Sequence, residues 1–291
     1  MKRNKIIHLI PSNSIGGVES AAKTSINIKS DKYIFKLKFL SKQKYNSKFI
    51  QRIFSLIDIT FSTIEVINYK PDFLLVSLWK SCLSAIFIKL ANPKTKIILF
   101  LHCTKSANFI DYCFNKFLAR FSYQIWGDSM STIKERSLEL GINPKKKKRV
   151  ISFISYKFDP SKSKVFKPIF IFWGRYSSEK RIELAIELFN EISKNLDDAR
   201  FLLIGPDNGK LKSLKELSKR LKLNKKIKFF KSKSIKEIIK YANKSSFFLQ
   251  LSDHEGLGMS VVESMQLGLI PIVTNIGEIK NYCLHGQNSL I

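Results

Sequence analysis

Short apolar runs alternate with segments of helical periodicity along most of the sequence, and this alternation restricts the fold more than any other feature. The apolar runs occupy residues 6–10, 33–40, 73–79, 96–103, 123–129 and 149–155, and again 169–174, 199–205, 227–230, 246–252 and 270–275. Between them, apolar side chains recur at helical spacing, as in residues 18–28, 109–121 and 131–140. Strands of this length separated by helices predict parallel sheets covered on both faces, which is an α/β fold.

Residues 156–168 interrupt the alternation with two prolines and no apolar periodicity, as a linker would. At 291 residues the chain also exceeds the roughly 100 to 200 residues of a typical domain. We therefore predict two α/β domains, residues 1–158 and 159–291. Because parallel sheets bind ligands at the carboxyl ends of their strands, a cleft between the domains is the expected ligand site.

Basic residues far outnumber acidic ones: 51 Lys and Arg against 23 Asp and Glu leave a formal net charge of +28. This charge favours phosphate-rich partners, namely anionic lipid, nucleic acid or nucleotides. The abundance of Lys, Ile, Phe, Ser and Asn is also what an AT-rich genome produces without selection for binding. The basic run at 144–149 is typical of a solvated loop before a strand, and no helix-turn-helix, zinc or base-stacking signature supports nucleic-acid binding.

No uninterrupted apolar run approaches the roughly 20 residues of a membrane-spanning helix. The first apolar stretch is too brief for a signal peptide and lacks a small-residue cleavage site, so a cytoplasmic location is the expectation. The four cysteines, Cys82, Cys103, Cys113 and Cys283, show no paired spacing, which predicts reduced residues in the core.

Candidate binding residues in the first half follow two of the predicted strands. Gly16 and Gly17 lie between the strand at 6–10 and the next helix, where glycine lets backbone N–H groups approach a phosphate. An ordinary turn is the alternative interpretation, because the spacing matches neither dinucleotide-binding nor P-loop motifs. His102 ends the strand at 96–103, so it is either a structural histidine or a residue of the ligand site.

Two cations mark the start of the second half. Arg175 and Lys180 flank a predicted helix whose first turn is residues 177–179. Arg as a bidentate fork and Lys as a point charge, together with the helix N–H groups, suit a diphosphate. A solvated, capped helix start is the alternative interpretation of the same residues.

The stretch SDHEGLGMSVVESMQLG, residues 252–268, places Glu255 and Glu263 around a glycine-containing turn. At about 1.5 Å per residue, this separation is at most about 12 Å in a helix, close to the length of a nucleotide sugar from hexose to ribose. Two carboxylates so placed suit hydroxyls at the two ends of such a ligand, and Gly256 and Gly258 free the backbone to approach phosphates. The separation is too wide for the carboxylate pair of a retaining glycoside hydrolase.

These motifs, in this order, resemble the retaining GT-B glycosyltransferases of family 4. The resemblance rests on Gly16-Gly17, His102, the GR-x4-K pattern at 174–180 and the E-x7-E pattern at 255–263 followed by Gly268. It is most specific over residues 171–278, whereas the first 150 residues are similar mainly in architecture. It implies a GT-B-like fold of two Rossmann-like α/β domains facing across a cleft, the second of which binds the nucleotide sugar.

The resemblance also implies a set of donor-binding residues. In the second domain these are the diphosphate ligands Arg175 and Lys180, the ribose ligand Glu263, and the donor-sugar contacts Glu255, Gly256, Leu257, Gly258 and Met259. In the first domain, Gly16 and Gly17 would approach the phosphates. His102 and Glu255, both at the reacting sugar, are the catalytic candidates.

The activity implied by the resemblance is retaining transfer of a hexose from a UDP- or GDP-linked sugar to a growing surface glycan or lipid-linked acceptor. It implies no cofactor, no obligatory metal and no nucleic-acid partner. The cationic, partly apolar segments 32–45 and 113–121 favour peripheral attachment to anionic lipid on the inner face of the cell membrane. Core elements with solvated lysines are the alternative interpretation of both segments.

Two departures from the family pattern bear on these expectations. Residues 227–234 lack the glycine expected after the strand, which affects the base-binding loop. The sequence ends at Ile291 without the family's closing helix, which predicts a truncated second domain and looser closure. A nucleotide-sugar isomerase or an inactive nucleotide-sugar binder is the alternative function for the same pocket, and a basic nucleic-acid-binding protein is the alternative from another class.

Overall fold

A computed structural model describes residues 3–13, 16–27, 30–41, 48–152 and 165–291. The chain divides into two compact units, Met1–Ser155 and Tyr156–Ile291. Residues 153–164, which include most of the predicted linker and the predicted domain limit, lie outside the described residues. Residues 42–45 of the predicted membrane-facing segment also lie outside them.

Six strands of the first unit form one parallel sheet: β1 (Asn4–Ser12), β2 (Tyr33–Ser41), β3 (Phe73–Ser77), β4 (Lys96–Leu101), β5 (Gln124–Gly127) and β6 (Lys148–Val150). Their order across the sheet is β2, β1, β3, β4, β5, β6, so the strand order reverses at β1. The α-helices described in this unit are α1 (Gly17–Thr24), α2 (Lys48–Tyr69), α3 (Trp79–Ala91), α4 (Phe109–Phe121) and α5 (Met130–Leu140).

Five strands of the second unit form another parallel sheet: β7 (Ile169–Trp173), β8 (Arg200–Ile204), β9 (Ile227–Phe230), β10 (Phe247–Gln250) and β11 (Ile270–Val273). The order is β11, β10, β7, β8, β9, so β7 lies between β8 and β10. The α-helices described here are α6 (Ile182–Asn195), α7 (Leu211–Arg220), α8 (Ile235–Ala242), α9 (Met259–Gln266) and α10 (Ile279–Tyr282). A switch point of this kind, at the carboxyl ends of β7 and β10, is where α/β sheets bind ligands.

Buried aromatic rings pack against one another at the switch point of the second unit. Phe172 and Trp173 at the end of β7 both pack on Phe248 of β10, with ring centroids 6.3 Å and 4.5 Å apart. Phe189 of α6 lies 5.4 Å from Phe201 of β8. Burial of each ring of this size contributes about 1.5 to 3 kcal/mol to the free energy of folding. These rings therefore strongly stabilise the core at the ends of the strands.

Every apolar run predicted as a strand overlaps one described strand, but most of the strands are shorter than the predicted runs. The run 73–79 divides at Leu78, whose φ of 65° ends β3, and Trp79 then begins α3 and stacks on Phe114 at 6.0 Å. The run 149–155 contributes Arg149 and Val150 to β6, and residues 153–155 lie outside the described residues. The 22-residue helix α2 is an element that the sequence pattern did not reveal.

The cysteines are free thiols, but they do not all lie in the core. Cys82 and Cys283 are buried, as predicted. Cys103 is half-buried and Cys113 is exposed on α4, so the prediction of a core position is wrong for these two. Cys113 lies on a helix that presents several apolar side chains to solvent, and its exposure follows from that orientation.

Candidate functional site

The loop after β7 is anchored on the neighbouring strand ends. Tyr176 is fully buried, and its hydroxyl lies 2.7 Å from the carbonyl oxygen of Leu203 and 2.8 Å from that of Phe230. Burial raises the pKa of Tyr176 above its usual range, so this hydroxyl remains a donor. Gly174 and Gly205 approach so closely that a Cβ on Gly205 would collide with the Gly174 carbonyl oxygen. The segment after β7 is therefore fixed at its base.

The predicted helix start at 177–179 is wrong. Residues Ser178–Lys180 form a single 3-10 turn, and Arg181 follows in the left-handed region with φ 43° before α6 begins. The Glu179 carbonyl, which a continuous α-helix would use internally, instead accepts the N–H of Asp253 at 2.9 Å. The Arg181 guanidinium donates to the Asp253 carboxylate at 3.0 Å. These contacts join the 3-10 turn to the loop after β10.

Lys180 and Glu255, both predicted site residues, form an ion pair that links the same two loops. Only 15% of the Lys180 side chain and 13% of the Glu255 side chain are exposed. The same Glu255 oxygen accepts hydrogen bonds from Gln250 Nε2 and Ser252 Oγ, each at 2.9 Å. The structure therefore brings the predicted diphosphate ligand and the predicted sugar ligand together at the carboxyl edge of the sheet.

Arg175, the other predicted diphosphate ligand, has a different environment. Its side chain is 55% exposed, and Nη2 lies 3.6 Å from Glu179 Oε1. An ion pair this exposed contributes little to stability, so the Arg175 guanidinium can readily leave Glu179 and bind another anion. Arg175 lies in the same segment after β7 as Lys180, but the structure does not place it in contact with Glu255.

Glu263, the second carboxylate of the predicted pair, lies on α9 and is buried at 8% exposure. Its Oε2 accepts a hydrogen bond of 3.0 Å from Trp173 Nε1, at the end of β7. A buried carboxylate held by an indole donor is oriented by the core rather than by solvent. The two glutamates are thus positioned by different elements: Glu255 by the loop after β10 and Glu263 by α9.

The loop that precedes α9 presents a row of backbone donors. Gly258 caps the helix with φ 73°, a conformation that suits glycine. The N–H groups of Gly256, Leu257, Gly258 and Met259 donate to no acceptor within the described parts of the chain. Consecutive N–H groups at a helix N-terminus favour an anionic ligand such as phosphate.

The first-unit glycines lie at a helix start, as predicted, but not in a glycine-requiring conformation. Gly16 caps α1 in extended backbone with φ −159°, and Gly17 is the first helical residue. A Cβ on Gly16 would collide with the Glu19 carboxylate, which lies over the first turn. Because the Glu19 carboxylate is the end of a flexible side chain and can move aside, this contact does not require glycine at position 16.

His102 belongs to a buried polar group that the sequence analysis missed in part. Ser77 Oγ lies 2.8 Å from His102 Nε2 and 2.7 Å from His8 Nε2, and Phe100 packs on the His102 ring with centroids 4.2 Å apart. Burial lowers the pKa of both histidines to about 3, and for His102 the neighbouring His8 adds to the effect. Both rings are therefore neutral at physiological pH. The single polar residue in the apolar run 6–10 was the available signal for His8.

Several other contacts of the candidate site escaped the sequence analysis. Trp173, Gln250 and Ser252 each hydrogen-bond a predicted glutamate. Gln250 ends a buried strand, where a polar side chain is unusual, and this was the signal that could have found it. Across the described ranges, no group of three or more His, Cys, Asp and Glu side chains is arranged to hold a metal ion.

Comparison with protein families matches residues 155–291 to the family described as glycosyl transferases group 1. The match covers the whole of the second unit. This unit is a group 1 glycosyl transferase domain. Arg175, Lys180, Glu255 and Glu263 all lie in the glycosyl transferase domain, whereas the first-unit candidates lie outside the matched range.

Curated relatives are similar to the chain at modest identity. A GDP-mannose:cellobiosyl-diphosphopolyprenol alpha-mannosyltransferase from Komagataeibacter xylinus is 29% identical over 105 residues, which are 36% of this chain and 27% of that enzyme. A glycogen synthase from Flavobacterium johnsoniae is 26% identical over 239 residues, which are 75% of this chain and 48% of that enzyme. The matched part of the chain spans less than half the length of either relative.

Solved structures resemble the chain over both units. HepE from Anabaena, in complex with UDP-glucose, superposes with a TM-score of 0.74 and 17% identity over 98% of this chain and 84% of that protein. The lipopolysaccharide outer core galactosyltransferase WaaB superposes with a TM-score of 0.62 and 17% identity over the same shares of the two chains. These likenesses confirm the predicted fold class, so the glycosyl transferase domain is part of a GT-B-like α/β chain.

Proposed function

We propose that the chain is a retaining glycosyltransferase that moves a hexose from a nucleotide diphosphate sugar to a growing surface glycan or lipid-linked acceptor. The observation that carries the proposal is the pairing of Lys180 with Glu255 beside a row of backbone N–H groups that donate to no acceptor among the described residues. A cation and N–H donors suit a diphosphate, and an adjacent carboxylate suits sugar hydroxyls. The group 1 glycosyl transferase match over the same residues supports this assignment.

In this proposal, the ammonium of Lys180 exchanges its carboxylate partner for the diphosphate of the donor. The bond from the anomeric carbon to the outer phosphate oxygen breaks, and a bond from that carbon to the acceptor oxygen forms on the same face. The acceptor hydroxyl proton passes to the departing diphosphate, whose developing charge Lys180 and Arg175 stabilise. Glu255 holds the sugar, and the backbone of residues 256–259 holds the sugar together with the phosphate next to it.

Glu263 is the proposed ligand of the ribose hydroxyls. Its hydrogen bond from Trp173 fixes the carboxylate before any ligand arrives. Fixing an acceptor in advance reduces the entropy that is lost on binding. This preorganisation supports a role in holding the nucleoside, while the Lys180 and Glu255 pair acts on the diphosphate and the sugar.

A panel of UDP- and GDP-linked hexoses tests the assignment directly. At about 100 times its Kd, one donor is expected to raise the free energy of unfolding by about 2.7 kcal/mol, measured by thermal unfolding. With a lipid-linked acceptor, that donor should give a glycoside whose anomeric configuration, read by NMR, matches the donor. We expect transfer without a cofactor and in the presence of EDTA, since the proposal assigns charge stabilisation to Lys180 and Arg175.

Other outcomes of the same experiment favour the alternatives. A rearranged donor formed without acceptor indicates a nucleotide-sugar isomerase, and stabilisation without any product indicates an inactive binder. Inversion at the anomeric carbon contradicts the retaining mechanism alone. Absence of stabilisation by every donor contradicts the proposed function as a whole.

Peripheral attachment to the inner face of the cell membrane is proposed for the first unit. No described helix is both long enough and apolar enough to cross a bilayer. Helix α4 instead exposes Phe117 and Phe121 beside Lys116 and Arg120, in the segment 113–121 that the sequence analysis singled out. Exposed aromatic side chains interspersed with cations suit the interface of an anionic bilayer.

Co-sedimentation with vesicles of phosphatidylcholine and phosphatidylglycerol tests this attachment. Replacing Phe117 and Phe121 together with serine is expected to lower the bound fraction at least about fivefold, because both rings lose burial in lipid. The control is Leu138→Ser on α5, which removes an even more exposed apolar side chain from another helix. Equal binding of the α4 variant and the control contradicts attachment through α4.

A further inference from the structure

The segment after β11 holds the loop before α9 by its carbonyl groups. The Tyr282 hydroxyl donates to the Leu257 carbonyl oxygen at 2.6 Å, and the Glu278 N–H donates to the Gly256 carbonyl oxygen at 3.0 Å. The two carbonyls belong to successive peptide units of the same loop. Both are therefore turned toward α10 by groups from one supporting segment, residues 274–282.

The supporting segment also lies in direct contact with this loop. Gly277 adopts φ 51°, and a Cβ there would collide with the Glu255 carbonyl oxygen. Thr274 Oγ1 donates to the Ser252 carbonyl oxygen at 2.7 Å. The loop is thus fixed to the supporting segment along its length rather than at a single point.

Peptide geometry gives the direction of the donors on the other side. In a trans peptide, the carbonyl and the following N–H point in opposite directions. Because the carbonyls of Gly256 and Leu257 face the supporting segment, the N–H groups of Leu257 and Gly258 point away from it. These are two of the N–H groups that donate to no acceptor in the described chain.

We propose that Tyr282 is a positioning residue that holds the Leu257–Gly258 peptide so that the Gly258 N–H faces the outer phosphate of the donor diphosphate. This inference rests on the proposed function, because it needs a nucleotide sugar in the site. Tyr282 does not touch the donor. It acts through the peptide unit that it hydrogen-bonds.

The surroundings of Tyr282 suit this role. Burial raises the pKa of its hydroxyl far above the usual range, and the nearby Cys283, Glu255 and Glu278 add to the effect. The hydroxyl therefore stays protonated and can only orient a carbonyl as a donor. A Cβ on Gly258 would meet the Tyr282 oxygen at 2.8 Å, so the ring packs directly against the peptide that it orients.

Replacing Tyr282 with phenylalanine tests the proposal, because it keeps the ring and removes only the hydroxyl. Binding of UMP, UDP, GMP and GDP to the full chain is measured by isothermal titration or thermal shift. For the preferred base, we expect the Kd of the diphosphate to rise about tenfold and the Kd of the monophosphate to stay within about twofold. Tyr241→Phe is the matched control, since it removes a phenol hydroxyl from α8 of the same unit, and both Kd values should remain unchanged.

The outcomes separate this proposal from the function on which it rests. If wild type binds the diphosphate and Tyr282→Phe binds it equally well, the positioning role is wrong and the proposed function stands. Equal weakening of monophosphate and diphosphate means general loss of structure and also overturns the role, with far-UV circular dichroism as the check. If wild type binds none of these nucleotides, both proposals fail.

Discussion

Lys180→Ala is expected to weaken the binding of the donor diphosphate about 10- to 100-fold, since hydrogen bonds to charged groups contribute about 1.5 to 3 kcal/mol. The ammonium is mostly shielded from water beside Glu255, so the attraction it offers a phosphate is stronger than at the surface. It also faces charge that develops on the departing diphosphate. Its removal is therefore expected to lower kcat/KM about 10²- to 10³-fold in a transfer assay with saturating acceptor.

The matched control for this variant is Lys194→Ala. Lys194 pairs with Glu191 on α6, and both side chains are about 60% exposed. A surface pair of this kind contributes about 0 to 1 kcal/mol to stability, so the control should retain wild-type kcat/KM. If Lys180→Ala binds UDP and GDP as wild type does, the diphosphate lies elsewhere and the proposed orientation of the donor is wrong.

The second large effect is expected at Gly205, where alanine should lower the free energy of unfolding by about 3 kcal/mol or more. The added Cβ would overlap the Gly174 carbonyl oxygen, and the backbones of Gly174 and Gly205 are not free to move apart. Gly174 N–H donates to Ile204 at 3.0 Å, and Gly205 N–H donates to Phe230 at 3.1 Å. Urea unfolding followed by circular dichroism measures the change.

Gly209→Ala separates collision from backbone strain. Gly209 lies in the same loop with φ 90°, and a Cβ there meets no atom within 4 Å. Alanine at this position is expected to cost about 1 to 2 kcal/mol from its left-handed backbone alone. If both variants lose the same stability, the close contact of Gly205 with Gly174 is not what requires glycine.

The architecture was accessible from sequence because it depends on local patterns. Buried strands such as 96–101 are continuous apolar runs, and the helices between them repeat their apolar residues at helical spacing. Helix α2 was not among the predicted helices, although it is the longest described helix. The end of β3 was not predicted because Leu78 adopts a positive φ, and a leucine in the sequence gives no signal for that conformation.

The residues of the candidate site were predictable, but their pairings were not. Glycine spacing and the two glutamates indicated the loop before α9. The bond between Lys180 and Glu255 joins residues 75 positions apart, and that between Trp173 and Glu263 joins residues 90 positions apart. Contacts at such separations follow from the order of strands in the sheet, which a single sequence does not specify. The expected helix start at 177–179 failed for the same reason, because its partner Asp253 comes from a distant loop.

Ser77 has one hydroxyl proton, yet its oxygen lies within hydrogen-bond distance of a ring nitrogen of both His8 and His102. Both rings are neutral, so each carries a single N–H. Ser77 donates to one histidine at most, and the other must present its own proton at Nε2. At least one of the pair is therefore the Nε2–H tautomer, and the two tautomers are linked. The tautomer of His102, at the edge of the sheet, is thus linked through the Ser77 hydroxyl to the tautomer of His8 in the interior of the sheet.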